Sequence, residues 1–181
     1  MELETERLVL RIPQAADFDR YAETLGDEEA ARYIGGAISR AAAWRRFLQM
    51  PGAWALQGFA MFSVIEKASG LWIGHAGPWR PDGWPGNEMG WTLHRDSWGK
   101  GHATEAVSAC MDFAFDVLGW DSVIHCIHPD NHASARLAAR LGSRNKGPGR
   151  LPAPFEVSPT NIWAQSREDW LARRAGATSC R

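Results

Sequence analysis

Residues 87–118 read NEMGWTLHRDSWGKGHATEAVSACMDFAFDVL, and this stretch decides the fold. Alternating apolar residues, with an aromatic and a β-branched side chain among them, predict a strand over residues 89–94. Over residues 103–118 small and apolar residues recur on one helical stripe, which predicts a helix. Between them lies the glycine-rich segment WGKGHA at residues 98–103. The stretch therefore predicts a strand, a tight loop and a helix in succession.

The glycine-rich loop has the features of a phosphate-binding site. When a strand enters such a loop and a helix follows, the first amides of the helix have no partner inside it and point outward. These amides and the positive end of the helix dipole attract a phosphate group, and the small residues leave room for it. We therefore predict that the loop binds a pyrophosphate, although an ordinary strand–helix turn would also use glycines for tightness.

Two familiar nucleotide motifs fit this loop poorly. A Walker loop needs G-x-x-x-x-G-K-S/T, but Lys100 is followed by Gly101 and no Ser or Thr is in register. A dinucleotide fingerprint needs a third small residue where Thr104 stands. Asp121 is spaced suitably for a ribose carboxylate, but it precedes the next strand instead of ending it. Both motifs stay open as weak alternatives.

The pattern Gly-x-Gly-x-Ala-Thr-Glu-Ala after an aromatic strand resembles the acetyl-CoA loop of the GNAT acetyltransferase superfamily. It is most similar to the RimJ/RimL-type branch, which acetylates protein N-termini and small amines. The family loop is usually written Gln/Arg-x-x-Gly-x-Gly/Ala, and Trp98 takes its first position, a departure that the RimJ/RimL-type branch commonly shows. The resemblance covers residues 5–170 and implies acetyl-CoA as the co-substrate, with no metal.

Length and composition set the broad class. We predict a single GNAT-type domain over residues 1–181, with a frayed tail over about 176–181. The hydrophobic fraction of 45% and the charged fraction of 23% are typical of a soluble globular protein, and the net charge of −1 gives no electrostatic basis for a nucleic-acid or membrane partner. No segment has transmembrane length, and the acidic start is unlike a signal peptide. Cys110, Cys126 and Cys180 lie far apart without a CxxC pair, which predicts a reduced, cytoplasmic protein.

The order of the predicted elements indicates an α/β (α+β) architecture: a mixed central sheet of about seven strands with helices on both faces. This is also the GNAT order of elements. The third helix should bury Trp44, Phe47 and Leu48 and stop at Pro51. The predicted strands are residues 5–12, 58–66, 71–77, 89–94, 121–128, 143–146 and 160–165. The predicted helices are residues 17–25, 27–33, 39–50, 103–118 and 133–141, followed by a short helix capped by Ser166.

The fourth and fifth predicted strands must lie parallel, because a crossover helix joins them. The resemblance implies that these strands splay apart and that the pantetheine arm of acetyl-CoA enters the gap. By the same resemblance, the main chain of Trp91, Thr92 and Leu93 would bind the arm. The pyrophosphate would lie against Trp98, Gly99, Lys100, Gly101, His102, Ala103 and Thr104, with the amides after Trp98 as donors.

Acyl transfer from a thioester to an amine needs a neutral amine, a donor for the oxyanion and a proton for the departing thiolate. Glu88, at the entrance to the fourth strand, matches the position of the family carboxylate and is the candidate base, directly or through a water. A solvated loop glutamate is the ordinary alternative. An amide of the fourth strand would bind the oxyanion, and the sequence does not identify which one.

The segment Asn131-x-x-Ser134 resembles a RimJ/RimL-type pattern after the fifth strand. In that pattern the Asn contacts the pantetheine arm and the Ser lies near the thioester sulfur, so the resemblance implies Ser134 as the acid. Many other GNAT enzymes use a tyrosine further along this helix, where this chain has Leu137 and Arg140. The alternative is that Asn131 and Ser134 only stabilise the start of the helix.

Other polar clusters fit the same interpretation less directly. His125, Cys126, His128 and His132 are of metal-ligating types. His125 and His128 are three positions apart on a strand and point to opposite faces, so we predict no metal site. A basic group further along could contact the 3′-phosphate of CoA or form a solvated face. This group consists of Arg136, Arg144, Lys146 and Arg150.

These features predict a cytoplasmic, acetyl-CoA-dependent N-acetyltransferase that moves an acetyl group to a primary amine by direct attack. Cys110 and Cys126 lie on the core side of a helix and within a strand, which are poor places for a covalent nucleophile. Two alternatives remain open. One is a non-catalytic CoA-binding module of the same fold, and the other is a nucleotide-binding protein that uses the same glycine loop.

The acceptor is less well defined than the donor. The N-terminal helices, a hairpin loop at residues 78–87 with Trp79 and Trp84, and the loop at residues 147–159 would shape its pocket. The aromatic wall suits a protein N-terminus or an aliphatic or aromatic amine and disfavours an aminoglycoside. Asp82 and Glu156 keep that last class open. The resemblance is also compatible with a homodimer.

Overall fold

Eight strands form one mixed sheet in the computed structural model, which describes residues 1–178. The strands are β1 (Glu2–Glu4), β2 (Leu8–Arg11), β3 (Phe62–Glu66), β4 (Trp72–Trp79), β5 (Glu88–Leu93), β6 (Ser122–Ile127), β7 (Arg144–Gly149) and β8 (Thr160–Ser166). Their order across the sheet is β1-β2-β3-β4-β5-β6-β8-β7, and every neighbouring pair is antiparallel except β5 and β6. The mixed sheet is therefore confirmed, with one strand more than the sequence predicted.

The additional strand comes from the N-terminal segment, which was predicted as one strand over residues 5–12. The chain turns at Thr5, whose hydroxyl accepts a hydrogen bond from the Leu8 amide at 3.0 Å. This turn lets β1 fold back and pair with β2. Leu8 and Leu10 are fully buried on one face of β2, as the alternating pattern predicted.

Helices cover both faces of the sheet, as predicted. The helices are α1 (Phe18–Gly26), α2 (Glu28–Ala31), α3 (Arg40–Phe47), α4 (Gln49–Gln57), α5 (His102–Asp112), α6 (His132–Leu141) and α7 (Arg167–Thr178), and a π-helical turn (Phe113–Val117) continues α5. Tyr21 of α1 contacts His75 on one face of β4, whereas Met111 of α5 packs in the core with Met89 on the other face. Across residues 1–178, no helix combines the length and apolar character needed to cross a bilayer.

The main hydrophobic core lies between the sheet and α5, and a smaller one lies between α1, α3 and β4. The main core includes Leu8, Leu10, Phe62, Val64, Met89, Val107, Met111 and Phe115. The smaller core includes Phe18, Tyr21, Leu25, Phe47, Met50 and Trp72. The two cores fix the N-terminal helices and α5 on opposite faces of the strands that carry the predicted site.

Local capping signals place several helix ends correctly. Asp27, Asn131 and Ser166 each accept an amide hydrogen in the first turn of the helix that follows, as predicted. Gly142 ends α6 with a φ of +99°, a left-handed conformation that suits glycine. The final helix continues to Thr178 and so extends into the tail predicted over about 176–181. Residues 179–181, including Cys180, lie outside the described part of the chain.

The third predicted helix was wrong in two respects. It is two helices, α3 and α4, which meet at Leu48. Pro51 lies in the first turn of α4 instead of stopping a helix, because first-turn residues need no amide hydrogen for the helical ladder. Phe47 is buried as predicted, but Trp44 and Leu48 are 41% and 46% exposed. Trp44 packs on the Phe18 ring at the edge of the smaller core, with the ring centroids 4.7 Å apart.

The hairpin between β4 and β5 is shorter than predicted. Pro78 and Trp79 were assigned to the loop, but they extend β4, and Trp79 pairs with Glu88 at the start of β5. Strand pairing over six residue pairs outweighs the local proline and glycine content. As a result, the loop covers residues 80–87, and Glu88 belongs to a strand.

Candidate active site

Strands β5 and β6 separate immediately after they meet. Their only register pair among the described residues is Glu88 with Ile124, where the Ile124 amide donates to the Asn87 carbonyl at 2.9 Å. Beyond this point the edge of β5 that faces β6 has no strand partner, whereas its other edge stays paired with β4 through Leu93. The predicted splay is therefore present, and it opens an unpaired length of β5 main chain.

The main chain of Trp91 faces this gap. The Met89 carbonyl accepts a hydrogen bond from His125 Nδ1 at 2.7 Å, and the Leu93 carbonyl accepts one from Trp98 Nε1 at 2.9 Å. Since alternate residues of a strand present their backbone groups to the same edge, the N–H and C=O of Trp91 point the same way. Thr92 faces β4 instead, where it pairs with His75. Of the three residues predicted to bind the pantetheine arm, Trp91 is thus the one whose N–H and C=O both lack a partner among the described residues.

The glycine loop presents a row of unpaired amides. Gly99 and Gly101 have φ angles of +73° and +81°, which bend the chain sharply before α5 begins at His102. The helical ladder starts only when the Glu105 amide donates to the Gly101 carbonyl at 3.2 Å. Within residues 1–178, the amides of residues 99–104 have no hydrogen-bond acceptor. The amides are therefore unpaired, as the sequence predicted, and their binding of a pyrophosphate stays a prediction.

The side chains of the loop have separate roles. The His102 side chain is buried and faces inward, with Nε2 3.5 Å from Glu66 Oε1. Thr104 Oγ1 accepts a hydrogen bond from Arg140 Nη1 at 3.3 Å, and Lys100 is exposed. His102 therefore contributes its backbone amide and not its side chain to the outward face of the loop, and the Lys100 side chain lies at the surface.

A clamp that the sequence did not predict holds the first turn of α5. Glu105 accepts hydrogen bonds from the Thr5 hydroxyl at 2.6 Å, the Arg7 amide at 2.8 Å and Arg7 Nε at 2.7 Å. Arg7 Nη1 also donates to the Lys100 carbonyl at 2.9 Å. Burial raises the pKa of Glu105, but the bonds from Thr5 and Arg7 outweigh burial and lower it. An ionised Glu105 therefore ties the glycine loop to the N-terminal turn.

A cavity of about 510 Å³ lies between the N-terminal helices and the open end of the gap. Five of the predicted site residues line it, namely Glu88, Trp91, Thr92, Asn131 and Ser134. Leu93 and the residues of the glycine loop do not line this cavity. Its other walls come from the N-terminal helices, Trp79, Trp84 and the loop before β8, including Leu151 and Phe155. The segments expected to shape the acceptor pocket therefore do line one cavity, without Asp82 and Glu156.

Glu88 is a buried carboxyl at the wall of this cavity, with 8% of the residue exposed. Trp84 Nε1 donates to its Oε2 at 2.5 Å, and the Cys126 amide donates to its Oε1 at 3.2 Å. Burial raises the pKa of Glu88 to about 7, although the hydrogen bonds from Cys126 and Trp84 lower it. The alternative of a solvated loop glutamate is wrong, because the side chain is enclosed.

Asn131 and Ser134 lie across the cavity from β5, at the start of α6. The Asn131 Oδ1 atom accepts a hydrogen bond from the Ser134 amide at 3.1 Å and thereby caps the helix. The Ser134 hydroxyl has no partner among the described residues and is half-buried at the cavity wall. The capping role of Asn131 is present, and the free hydroxyl of Ser134 leaves the predicted role as an acid open.

The buried His125 forms hydrogen bonds to protein groups beside the gap between β5 and β6. Burial lowers its pKa to about 4, so the ring is neutral and has one N–H. Because the Met89 carbonyl can only accept, Nδ1 is the donor, and Nε2 accepts from the Ser143 hydroxyl at 2.9 Å. Among residues 1–178, no group of three or more His, Cys, Asp or Glu side chains is arranged to bind a metal ion. Both ring nitrogens of His125 are thus occupied by protein atoms.

The thiols and the basic group occupy different environments. Cys110 is buried and Cys126 is half-buried beside Glu88, and burial raises the pKa of both thiols, so neither is an activated nucleophile. Arg136, Arg144, Lys146 and Arg150 are exposed. Their contact with a 3′-phosphate stays a prediction.

Comparison with known families agrees with this geometry. Residues 7–144 match the model of the acetyltransferase (GNAT) domain family. Since this match covers most of the chain, the protein belongs to the GNAT acetyltransferase family and is an acyltransferase. Members of this family use acetyl-CoA as co-substrate and act on amine acceptors.

Individual relatives are similar over nearly the whole chain. The uncharacterized N-acetyltransferase p20 of Bacillus licheniformis is 33% identical over 151 residues, which cover 80% of this chain and 83% of that protein. The crystal structure of the acetyltransferase from Agrobacterium tumefaciens C58 superposes with a TM-score of 0.82 at 27% identity, covering 92% of this chain and 95% of that one. The ribosomal-protein-S5-alanine acetyltransferase from Vibrio fischeri shares the fold at a TM-score of 0.68 and 19% identity, over 94% of this chain and 98% of that one.

Proposed function

We propose that the protein is an acetyl-CoA-dependent N-acetyltransferase that moves an acetyl group to a primary amine by direct attack. The observation that carries this proposal is the buried Glu88, with a pKa near 7, at the wall of a cavity next to the open edge of β5. A carboxyl with a pKa near the working pH suits a general base, because it is partly ionised and still accepts a proton readily.

The donor site in this proposal follows the unpaired main chain. The amides of residues 99–104 would bind the pyrophosphate, and the Trp91 main chain would bind the pantetheine arm in the gap. The Asn131 side chain, on the opposite wall, would contact the same arm through its amide nitrogen, because its oxygen already caps α6. This arrangement directs the thioester toward the cavity that Glu88 and Ser134 share.

The chemical step requires three groups from this chain. Glu88 accepts the proton of the acceptor ammonium, directly or through a water, and the neutral nitrogen then forms a bond to the thioester carbon. The Trp91 amide is our candidate donor to the oxyanion, since it faces the gap. The carbon–sulfur bond breaks, the Ser134 hydroxyl supplies a proton to the thiolate, and the proton that the new amide nitrogen loses returns to the Ser134 oxygen. The raised pKa values of Cys110 and Cys126 favour this direct route over an acyl-cysteine intermediate.

The acceptor class and the location form part of the same proposal. We assign the protein to the RimJ/RimL-type branch on the Asn131 and Ser134 pair, and the fold similarity to a ribosomal-protein acetyltransferase is compatible with this assignment. The acceptor would then be a protein N-terminus or a small amine. The free thiols of Cys110 and Cys126 favour a reducing compartment, the cytoplasm.

Thiol release from acetyl-CoA with a panel of primary amines and short peptides tests this function. We expect amine-dependent CoA release by the wild type, a large decrease in kcat for Glu88→Gln, and a smaller decrease for Ser134→Ala, with acetyl-CoA affinity retained in both variants. A protein that binds acetyl-CoA tightly and acetylates no amine of a broad panel would instead be a non-catalytic CoA-binding module.

A further inference from the structure

The acceptor cavity contains an arginine without a counter-charge. Arg46 lines the cavity from α3 and is half-buried, and its Nη1 donates to the Ile34 carbonyl at 2.9 Å. No carboxylate among the described residues lies within 4.0 Å of its guanidinium, whereas Arg11 of β2 pairs with Asp17 at 2.7 Å. One edge of the Arg46 guanidinium is therefore fixed by the protein, and its remaining donors have no acidic partner.

The side chains around Arg46 do not neutralise it. Burial and, to a smaller extent, the charge of Arg46 together lower the pKa of His75 to about 3, so His75 is uncharged. Burial raises the pKa of Tyr21 to about 12, so its hydroxyl is neutral as well, despite the opposing effect of Arg46. The His75 Nδ1 atom is buried and has no hydrogen-bond partner among the residues that the structure describes. This end of the cavity is thus positively charged and still has polar groups to satisfy.

Arg46 and Glu88 line the same cavity from different elements, α3 and β5. Glu88 pairs across the sheet with Trp79, and Thr92 pairs with His75. His75 and Trp79 are four residues apart on β4, which corresponds to about 13 Å along the strand. Of the cavity-lining residues, the charged ones are Arg32, Arg46 and Glu88, and Arg32 lies at the exposed rim near the Tyr33 ring. The charge of Arg46 acts on His75, at the far end of this span from Glu88. An acceptor whose amine reaches Glu88 can therefore extend its other end toward Arg46.

We propose that the acceptor is a primary amine that carries a carboxylate several bonds away, and that Arg46 binds this carboxylate. The proposal rests on the proposed N-acetyltransferase function and specifies its substrate class. A guanidinium offers paired donors that match a carboxylate, and an uncompensated charge in a partly buried site favours a ligand of opposite sign. The same charge repels a second ammonium group, so diamines and polyamines are poor acceptors.

Three acceptors of equal chain length test this proposal: 6-aminohexanoate, its methyl ester and 1,6-diaminohexane. They share a six-carbon chain with a primary amine at one end and have a negative, a neutral or a positive group at the other. With acetyl-CoA saturating, we expect kcat/KM to be at least about tenfold higher for the carboxylate than for the ester, and lowest for the diamine. The same order is expected for the affinities of the three compounds, measured by calorimetry on the wild-type protein with CoA.

Variants of two neighbouring arginines separate a specific role from a general charge effect. Arg46→Gln should reduce the ratio of carboxylate to ester kcat/KM to near one, and Arg46→Lys should retain part of it. Arg45→Gln removes the same charge from the same helix at an exposed position outside the cavity, so its ratio should equal that of the wild type. Acetyl-CoA affinity in each variant checks that the fold is intact.

The outcomes distinguish this inference from the proposed function. If amines are acetylated but the carboxylate has no advantage, or Arg46→Gln keeps the wild-type ratio, the inference is wrong and the function stands. If no amine is acetylated while calorimetry still shows Arg46-dependent binding of the carboxylate, the function is wrong and the anion site stands.

Discussion

Glu88 combines burial with ionisation, and these two properties oppose each other. Its hydrogen-bond donors are Trp84 Nε1, the Cys126 amide and the Cys126 side chain, all of them uncharged. No cation pairs with it among the described residues, so burial dominates and the pKa rises to about 7. A glutamate with a purely structural role would be stabilised by a positively charged partner. Glu88 has none among the described residues, which agrees with its proposed role as a base.

The burial of Glu88 predicts a pH-dependent stability. The unfolded carboxyl loses its proton near pH 4.5, whereas the folded one keeps it up to about pH 7. The native state is therefore progressively destabilised as the pH rises through this window, by about 3 kcal/mol in total. Glu88→Gln lacks this titration. Urea unfolding at pH 5 and pH 8 should show that the stability of Glu88→Gln, relative to the wild type, increases by about that amount at the higher pH.

The same group predicts a pH dependence of catalysis. The kcat/KM of the wild type should increase with pH through about 7 as Glu88 ionises. In Glu88→Gln this inflection should disappear, and kcat should fall by roughly 10²-fold or more. Glu156→Gln, at an exposed position of the loop before β8, is the control and should keep the wild-type profile. An unchanged inflection in Glu88→Gln would exclude Glu88 as the base.

At the scale of elements, the glycine loop and α5 form the predicted donor site, and its backbone conformation can be tested with matched glycines. Gly99 and Gly70 have φ angles of +73° and +68°, and a Cβ atom at either position would meet no atom within 4 Å. Replacement by alanine should therefore cost about 1 kcal/mol of stability in both cases. Only Gly99→Ala should also raise the Kd for acetyl-CoA, by about tenfold, in a calorimetric titration.

If Gly99→Ala and Gly70→Ala bind acetyl-CoA with equal affinity, the glycine loop is not the site that binds the phosphate groups. Gly70 is a suitable control because it lies in the turn between β3 and β4, away from the cavity.

The clamp at Glu105 predicts a coupling between the N-terminal turn and the loop. Glu105→Gln loses the charge that binds Thr5 and Arg7, and it should lower the free energy of unfolding by about 2 kcal/mol and weaken acetyl-CoA binding. Glu4→Gln disrupts an exposed pair with Lys67 and should change stability by less than about 1 kcal/mol. Chemical denaturation and ligand titration of both variants would measure this difference, and identical behaviour would mean that the clamp does not position the loop.

At the scale of the whole molecule, the separation of β5 and β6 should make the protein bind acetyl-CoA in preference to ATP. Acetyl-CoA has both a pyrophosphate for the loop and an arm for the gap, whereas ATP has only the phosphates. Acetyl-CoA at about a hundred times its Kd should stabilise the protein by about 2.7 kcal/mol, and ATP at the same concentration should stabilise it little. Thermal unfolding with each ligand tests this, and comparable stabilisation by ATP would favour the nucleotide-binding alternative.

The success of prediction depended on the range of the interactions. Helix caps at Asp27 and Asn131 were predicted correctly, because a cap is a contact between residues a few positions apart. The partial exposure of Trp44 was not predicted, because the exposure of this side chain depends on how α1 packs against α3. The extension of β4 through Trp79 was also missed, because pairing with a distant segment outweighed the local composition.

Apart from β1 and the division between α3 and α4, the sequence by itself determined the order of strands and helices, the glycine loop before α5 and the parallel crossover, because periodicity, caps and glycines act over a few residues. The tertiary structure decided which groups meet: Glu88 becomes buried beneath Trp84 and beside Cys126, Arg7 reaches Glu105, and Arg46 faces the acceptor cavity without an acid. Apart from the contact between Trp84 and Glu88, these contacts join residues far apart in the chain. They arise from long-range packing, which also removes Glu88 from water and so sets the pKa that its proposed function needs.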